Sequence, residues 1–281
     1  MTFSIVTRSA DGQSWGVAVA SKFLAVGSVV PAAVAGVGAI ATQADANVAY
    51  KGQALSHMDE GATASVALQR LIEEDPAREH RQVGIVDVDG GAATHTGREC
   101  FDWAGGVTAA GVAIQGNILT GPEVVEAMKA AWDASADEHD LGRRLLAVLA
   151  AGDQAGGDRR GRQSAALLVV RDGAGYGGGD DVAVDLRVDD HADPVTELGR
   201  LLDLNDLYLT ASTDEEKVPV DDTLLQELDD RARRLGHADF QAWVGSENYE
   251  MRVSGPDDVD RWIDTKVLAI LREQSEGLST S

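Results

Sequence analysis

The sequence predicts an α+β fold in which helix layers cover two antiparallel sheets, followed by a small, mainly helical module. Three observations carry this reading. Strand-like runs come as hairpin pairs joined by short turns, helical patterns come in pairs between them, and no strand-helix-strand alternation supports a doubly wound parallel sheet. Beyond about Ala211 the composition shifts, so residues 1–210 are expected as the main domain and 211–281 as the module.

The first strand is the run from Met1 to Arg8, where Thr2, Ser4 and Val6 alternate with Phe3, Ile5 and Thr7. Asp11-Gly12 turns it into a second strand over Trp15–Phe23. Further strands are expected over Gly27–Pro31 and Ala35–Gln43; the glycines and Pro31 interrupt this apolar stretch, which excludes it as a membrane span. Helices follow over Tyr50–Glu60 and Thr63–Glu74, separated by Gly61 and closed by Pro76. A hairpin over Gln82–Gly97 turns at Asp89-Gly90. Its Asp87-Val88-Asp89-Gly90 string lacks the length and closing Glu of a calcium loop, so it reads as a turn. Next come a strand over Gly111–Asn117, helices over Pro122–Ser135 and Asp140–Ala151, a hairpin of Ser164–Arg171 with Val182–Val188, and a helix over Pro194–Leu207. The glycine run from Gly173 to Gly179 leads into a strand, where a dinucleotide loop needs a helix N-terminus, so it is a hairpin loop. Residues 212–219 read as a linker, and helices are expected over Asp222–Leu235, Asp239–Trp243 and Asp264–Glu273.

Charge narrows the function classes. The chain has 47 Asp and Glu against 24 Lys and Arg, a net −23, and only five of those bases are lysine. Acid spread along a whole chain destabilises it at low salt and is screened at about 3 Å near 1 M salt, so the composition suits concentrated intracellular salt and a halophilic source is expected. The same charge argues against nucleic acid and anionic membranes as partners. A single cysteine, Cys100, forms no intrachain disulfide, and no charged-then-apolar signal precedes Thr2, so a cytoplasmic location is expected.

Thr2 is the first candidate for chemistry. Methionine before a small residue is commonly removed, which would leave a threonine with a hydroxyl and a free α-amine at the start of a strand. The amine, with a reference pKa of about 7.7–8.0, suits general-base work on the neighbouring hydroxyl. The plain alternative is a start-of-strand threonine with no chemical role.

Several strings then act together: Met1-Thr2-Phe3-Ser4-Ile5-Val6, Gly16-Val17-Ala18-Val19-Ala20-Ser21-Lys22-Phe23, His95-Thr96-Gly97, Gln115-Gly116-Asn117, the run from Gly157 to Ala165, and the run from Asp185 to His191. In order and spacing they resemble the domain-of-unknown-function 1028 family, over roughly residues 1–208. That resemblance implies the fold of N-terminal-nucleophile (Ntn) hydrolases, a four-layer αββα sandwich, with Thr2 at the nucleophile's position. The tail from about Glu215 to Arg272 is similar to a peptidoglycan-binding-like module; for a cytosolic protein a helical cap or an oligomer contact fits it better.

Other residues carry paired readings. Lys22 either lowers the pKa of the amine and steadies an oxyanion or is a surface lysine, and Ser21 beside it is placed to hydrogen-bond the nucleophile. Gln115 and Asn117 offer amide donors for an oxyanion hole, or ordinary loop hydrogen bonds. Arg159, Arg160 and Arg162 are the densest positive cluster. They either hold a substrate carboxylate bidentately or form salt bridges to Asp185, Asp189 or a partner subunit. Asp185, Arg187 and His95 belong with them as substrate-binding candidates, and His95 is either an acid–base group or a structural hairpin histidine. The six histidines show no metal-binding spacing, and no metal or cofactor is expected. The resulting expectation is an Ntn-type amidohydrolase of a small amide or peptide, homo-oligomeric as a dimer. Its rival is a catalytically inactive binding or assembly protein on the same fold.

Overall fold

The computed structural model describes residues 2–277, and its α+β architecture is built from antiparallel sheets with several helices. In chain order the elements of the first part are β1 Thr2–Arg8, β2 Ser14–Ser21, α1 Val26–Val29, β3 Pro31–Val34, β4 Gly38–Ala44, α2 Ala49–Asp59, α3 Ala64–Glu74, β5 Arg81–Asp87, β6 Ala92–Thr96, β7 Gly105–Ala109 and β8 Val112–Asn117. They continue with α4 Glu123–Ala134, α5 Leu141–Gln154, β9 Ser164–Arg171, β10 Val182–Val188 and α6 Pro194–Leu209. The second part holds β11 Lys217–Pro219, α7 Asp222–Arg234, α8 Phe240–Glu247, β12 Trp262–Asp264 and α9 Thr265–Gly277. The chain divides into two compact units, Met1–Leu202 and Asp203–Ser281, so the division falls inside α6, ahead of the boundary expected after residue 210.

Within the first unit one sheet runs β10-β9-β2-β1-β8-β7 and another β3-β4-β5-β6. Strand alternation sorts the side chains of β1 onto two faces. Phe3 and Ile5 join an apolar cluster with Met128, Leu145, Leu149 and Leu198 of α4, α5 and α6. Val6 faces the other way, into a cluster with Val17, Val19, Ala39, Ala41 and Val86 that joins the two sheets. On the far face of the second sheet, Ile40 and Ile85 pack with Tyr50, Ala54 and Leu68 of α2 and α3. Each fully buried Ile or Leu in these clusters contributes roughly 1.5–3 kcal/mol. Helix starts follow their caps: Thr63 accepts from the Val66 N–H before α3, and Asp140 from the Arg143 N–H before α5.

Several local expectations differ. Gly27–Pro31, expected as a strand, is largely taken up by α1, and only Pro31 opens a strand, β3: Ala25 is left-handed at φ 52°, and the Val26 N–H donates to Ser164 Oγ at 3.1 Å, a long-range contact that overrides local β-propensity. β2 ends at Ser21, not Phe23, because the chain turns away and leaves Phe23 half exposed. β7 was hidden by its two leading glycines. Finally, part of the expected linker is β11, which pairs antiparallel with β12.

The second unit packs around Trp243, fully buried beside Phe240 and Tyr249. Arg252, also buried, meets Asp264 at 2.9 Å and Glu216 at 3.2 Å. Among the described residues no helix is long and apolar enough to cross a membrane.

Candidate functional site

Thr2 opens β1, a central strand flanked by β2 and β8, and both neighbours carry candidate residues at its level. Its hydroxyl lies 3.1 Å from Ser21 Oγ on β2, and its register partner on β8 is Asn117. Met1 itself lies outside the described residues. Ser21 in turn lines a cleft of about 470 Å³ together with Phe3, Ala20, Asp153, Asp158 and Arg162. Thr2 is 6% exposed and does not itself line that cleft.

Behind Thr2, between the sheets, lies a buried amide network. Asn117 Nδ2 donates to Gln82 Oε1 at 2.9 Å and to Thr2 O at 3.5 Å. Gln43 Nε2 donates to the same Gln82 oxygen at 2.8 Å and to Thr2 O at 3.3 Å. Gln82 Nε2 gives its protons to Gly116 O and Thr96 Oγ1. Gln115 sits one side-chain step further in, donating to Ser4 Oγ at 2.7 Å while Ser4 donates to Gln43 Oε1. Gly84 admits this arrangement, since a Cβ there would stand 2.1 Å from Gln115 Oε1. The donors of Asn117 therefore point at Thr2 O and Gln82, and those of Gln115 at Ser4; both amides hold the start of β1 in place.

The cleft wall is electrostatically patterned. Asp158 is buried, and its carboxylate accepts from the Lys22 N–H at 2.7 Å and the Arg160 N–H at 2.8 Å, tying the end of β2 to the loop before β9. Arg160 Nη2 reaches the same carboxylate at 3.4 Å. Arg162 pairs with Asp153 at 2.8 Å, a hydrogen bond that pushes the already high arginine pKa further up. Gly161, left-handed at φ 105°, lets the loop turn between these arginines.

The sequence-predicted residues thus fall into two groups. Thr2, Ser21, Asn117, Gln115 and Arg162 gather at one end of β1, with Arg160 beside them through Asp158. Lys22 and Arg159 are exposed close by in the chain, Lys22 joined to the cleft through its backbone. His95 is elsewhere, on β6, its Nε2 3.0 Å from Arg78 O. Arg187 and Asp185 project from β10, with Arg187 paired to Asp189 at 3.3 Å. Sequence reasoning missed Gln43, Gln82, Asp153 and Asp158. The signal for the two glutamines was present: each continues the face of its strand that carries Ala39 and Ala41, or Gly84 and Val86, with an amide where an apolar residue is expected. Among the described residues no three His, Cys, Asp or Glu side chains are grouped to hold a metal ion.

The family of unknown function DUF1028 matches residues 2–198, a span that includes every residue of this site. The chain belongs to the DUF1028 family. A solved DUF1028 structure, protein SPO2555 from Silicibacter pomeroyi, is similar at 31% identity and a TM-score of 0.66, covering 76% of this chain and 90% of that one. No curated protein matches. The DUF1028 match stops short of β11 and the helices that follow it.

Proposed function

We propose that this DUF1028 protein is an Ntn-type amidohydrolase of a small amide bearing an acidic group, that its two sheets and flanking helices form the four-layer αββα sandwich of such enzymes, and that Met1 is removed in maturation. One observation carries the reading: the Thr2 hydroxyl stands 3.1 Å from Ser21 Oγ, at the first position of a central strand and beside the cleft that holds Arg162.

In the proposed reaction the freed α-amine of Thr2 takes the proton of Thr2 Oγ1 as the oxygen attacks the amide carbonyl. The tetrahedral intermediate collapses as the ammonium returns that proton to the leaving nitrogen, giving an amine product and an ester on Thr2. Water, deprotonated by the same amine, then attacks the ester, and the carboxylic acid leaves with Thr2 Oγ1 reprotonated. Ser21 orients Thr2 Oγ1, Lys22 favours the unprotonated amine through its charge, and Arg162 aligns the acidic group of the substrate. Asn117 and Gln43 act as positioning residues through the Thr2 carbonyl. The C-terminal unit is assigned as a cap or dimer contact.

The rival reading, an inactive binding protein on the same fold, is favoured by the burial of Thr2 and its absence from the cleft lining. Intact mass and turnover separate the two. The enzyme reading expects a purified chain lighter by one methionine, hydrolysis of members of an acidic N-acyl amide library, and loss of that hydrolysis in Thr2→Ala but retention in Thr2→Ser. A retained Met1, or equal turnover by Thr2→Ala, rejects it.

A further inference from the structure

Arg8 ends β1 at the opposite pole from Thr2, roughly 20 Å away at ~3.3 Å per residue. A separate cleft of about 320 Å³ opens there, lined by Arg8, Gly90, Gly111, Trp132 and Arg144, with Asp89 also on its wall. Arg144 is 93% buried (7% exposed), stacked 3.4 Å from the centre of the Trp132 ring. Its Nη2 donates to Trp132 O and its Nε to Ser135 Oγ, so among the described residues its partners are neutral acceptors and no carboxylate pairs with it. Burial pushes its pKa below the ordinary arginine value, with Asp133 offsetting part of the effect. Its place in the first turn of α5 adds a helix dipole that disfavours a cation. Arg8 is the second guanidinium of the cleft: its Nε is buried without a hydrogen-bond partner among the described residues, and it lies 5.9 Å from the centre of the Trp15 ring.

Elsewhere in this acidic chain buried and half-buried arginines find carboxylates, as Arg81, Arg231 and Arg252 do. A guanidinium kept from water without a counter-charge is costly, and one that lacks an acceptor as well is more so. Arg144 is such a group and Arg8 a half-buried one whose Nε lacks an acceptor; together on one small cleft, in a protein with 47 acidic residues to choose from, they point to a counter-charge beyond the partial one that Asp133 gives. We infer that this cleft binds a small oxyanion, carboxylate or phosphate, between Arg8 and Arg144. Guanidinium forks hold either group through paired N–H donors, and the volume admits a metabolite-sized ligand rather than a polymer.

The test is titration of the full chain with inorganic phosphate and with malonate in potassium chloride at fixed ionic strength, read by calorimetry and by the ¹⁵Nε–¹H resonance of Arg8. Saturable binding of either anion, with a shift of the Arg8 resonance and at least a tenfold weaker Kd in Arg8→Gln, is expected; the stronger of the two probes identifies the oxyanion class. Arg144→Gln is expected to weaken binding likewise, and if it fails to fold the Arg8 variant decides alone. Absence of saturable binding by both anions, or binding that leaves the Arg8 resonance and the Arg8→Gln affinity unchanged, overturns the inference.

Discussion

Thr2 and Ser21 meet with their hydroxyls 3.1 Å apart, one register step beyond the Phe3–Ala20 pair that joins β1 to β2. Under the proposed mechanism that contact orients the attacking oxygen, so its loss is felt in the chemical step. Ser21→Ala is expected to lower kcat about 10- to 100-fold, the equivalent of about 1.5–3 kcal/mol for a hydrogen bond to a group that carries charge in the transition state. KM and melting temperature are expected to change little, because the serine is small and sits at a strand end. A kcat equal to that of the wild type would remove Ser21 from the mechanism.

Gln82 tests whether the amide network is structural as well as positioning. Its Oε1 accepts from both Gln43 and Asn117, and its Nε2 serves Gly116 O and Thr96 Oγ1. Gln82→Leu keeps most of the volume but strands these donors and acceptors between two sheets. Each buried unsatisfied group costs about 1–3 kcal/mol, and the longer contacts of Gln43 and Asn117 with Thr2 O recover part of it, so a net loss of about 2–4 kcal/mol is expected. Urea unfolding should show a lower midpoint at an unchanged m-value.

How far the chain announces these features depends on whether local pattern or distant contact decides them. The β1–β2 and β5–β6 hairpins were legible because Asp11-Gly12 and Asp89-Gly90 fix turns next to alternating strands. The short α1 was not, since its Val26 N–H is held by Ser164, which is remote in sequence. At the site, Thr2 and Ser21 were readable as neighbours once the hairpin was drawn. Asp158 was not legible, because the arginines that follow it make the run read as positive, whereas the aspartate is what ties the loop to β2. The pairing of Gln43 with Gln82 required knowing that two strands, β4 and β5, lie side by side.

Asp75 should shape the acid limb of stability. Burial alone would raise its carboxyl pKa, but donors from Arg81, the Ala77 N–H, Tyr50 and Asn47 hold it well below the usual carboxylate range. A depressed folded-state pKa means that below about pH 4 the unfolded chain takes up a proton that the native state refuses. The stabilisation is thus complete above that pH and is lost as pH falls further. Asp75→Asn is expected to be less stable than the wild type at pH 6, with the gap in melting temperature narrowing steadily towards pH 2.

In the second unit Arg252 is 2% exposed and Asp264 fully buried, 2.9 Å apart, with Ser212 Oγ donating to the same carboxylate oxygen. Arg252→Ala leaves Asp264 charged and enclosed, a change that typically costs about 3–5 kcal/mol. Replacing both by apolar residues of similar volume is expected to recover much of that loss, since the pair repays little more than its own desolvation. Urea titration of the two variants, followed by tryptophan fluorescence, distinguishes the cases; equal destabilisation would show that the pair is a net stabiliser.

Salt dependence sets two electrostatic effects against each other. Molar potassium chloride weakens the surface ion pairs, such as Lys129–Asp133 and Arg200–Glu197, and also weakens repulsion among the excess acids. An exposed pair is worth about 0–1 kcal/mol, so screening even several of them removes little. The repulsion is larger in scope: if every base found an acid, the difference between 47 and 24 would still leave 23 acidic charges without a partner. Screening shrinks from about 10 Å at 0.1 M to about 3 Å at 1 M salt, which shuts off interactions between acids on neighbouring turns and loops. Repulsion should therefore win, and the melting temperature is expected to rise between 0.1 and 2 M potassium chloride, most steeply over the first part of that range. A flat or falling curve would reject adaptation to concentrated salt and leave the acidity as a device for solubility alone.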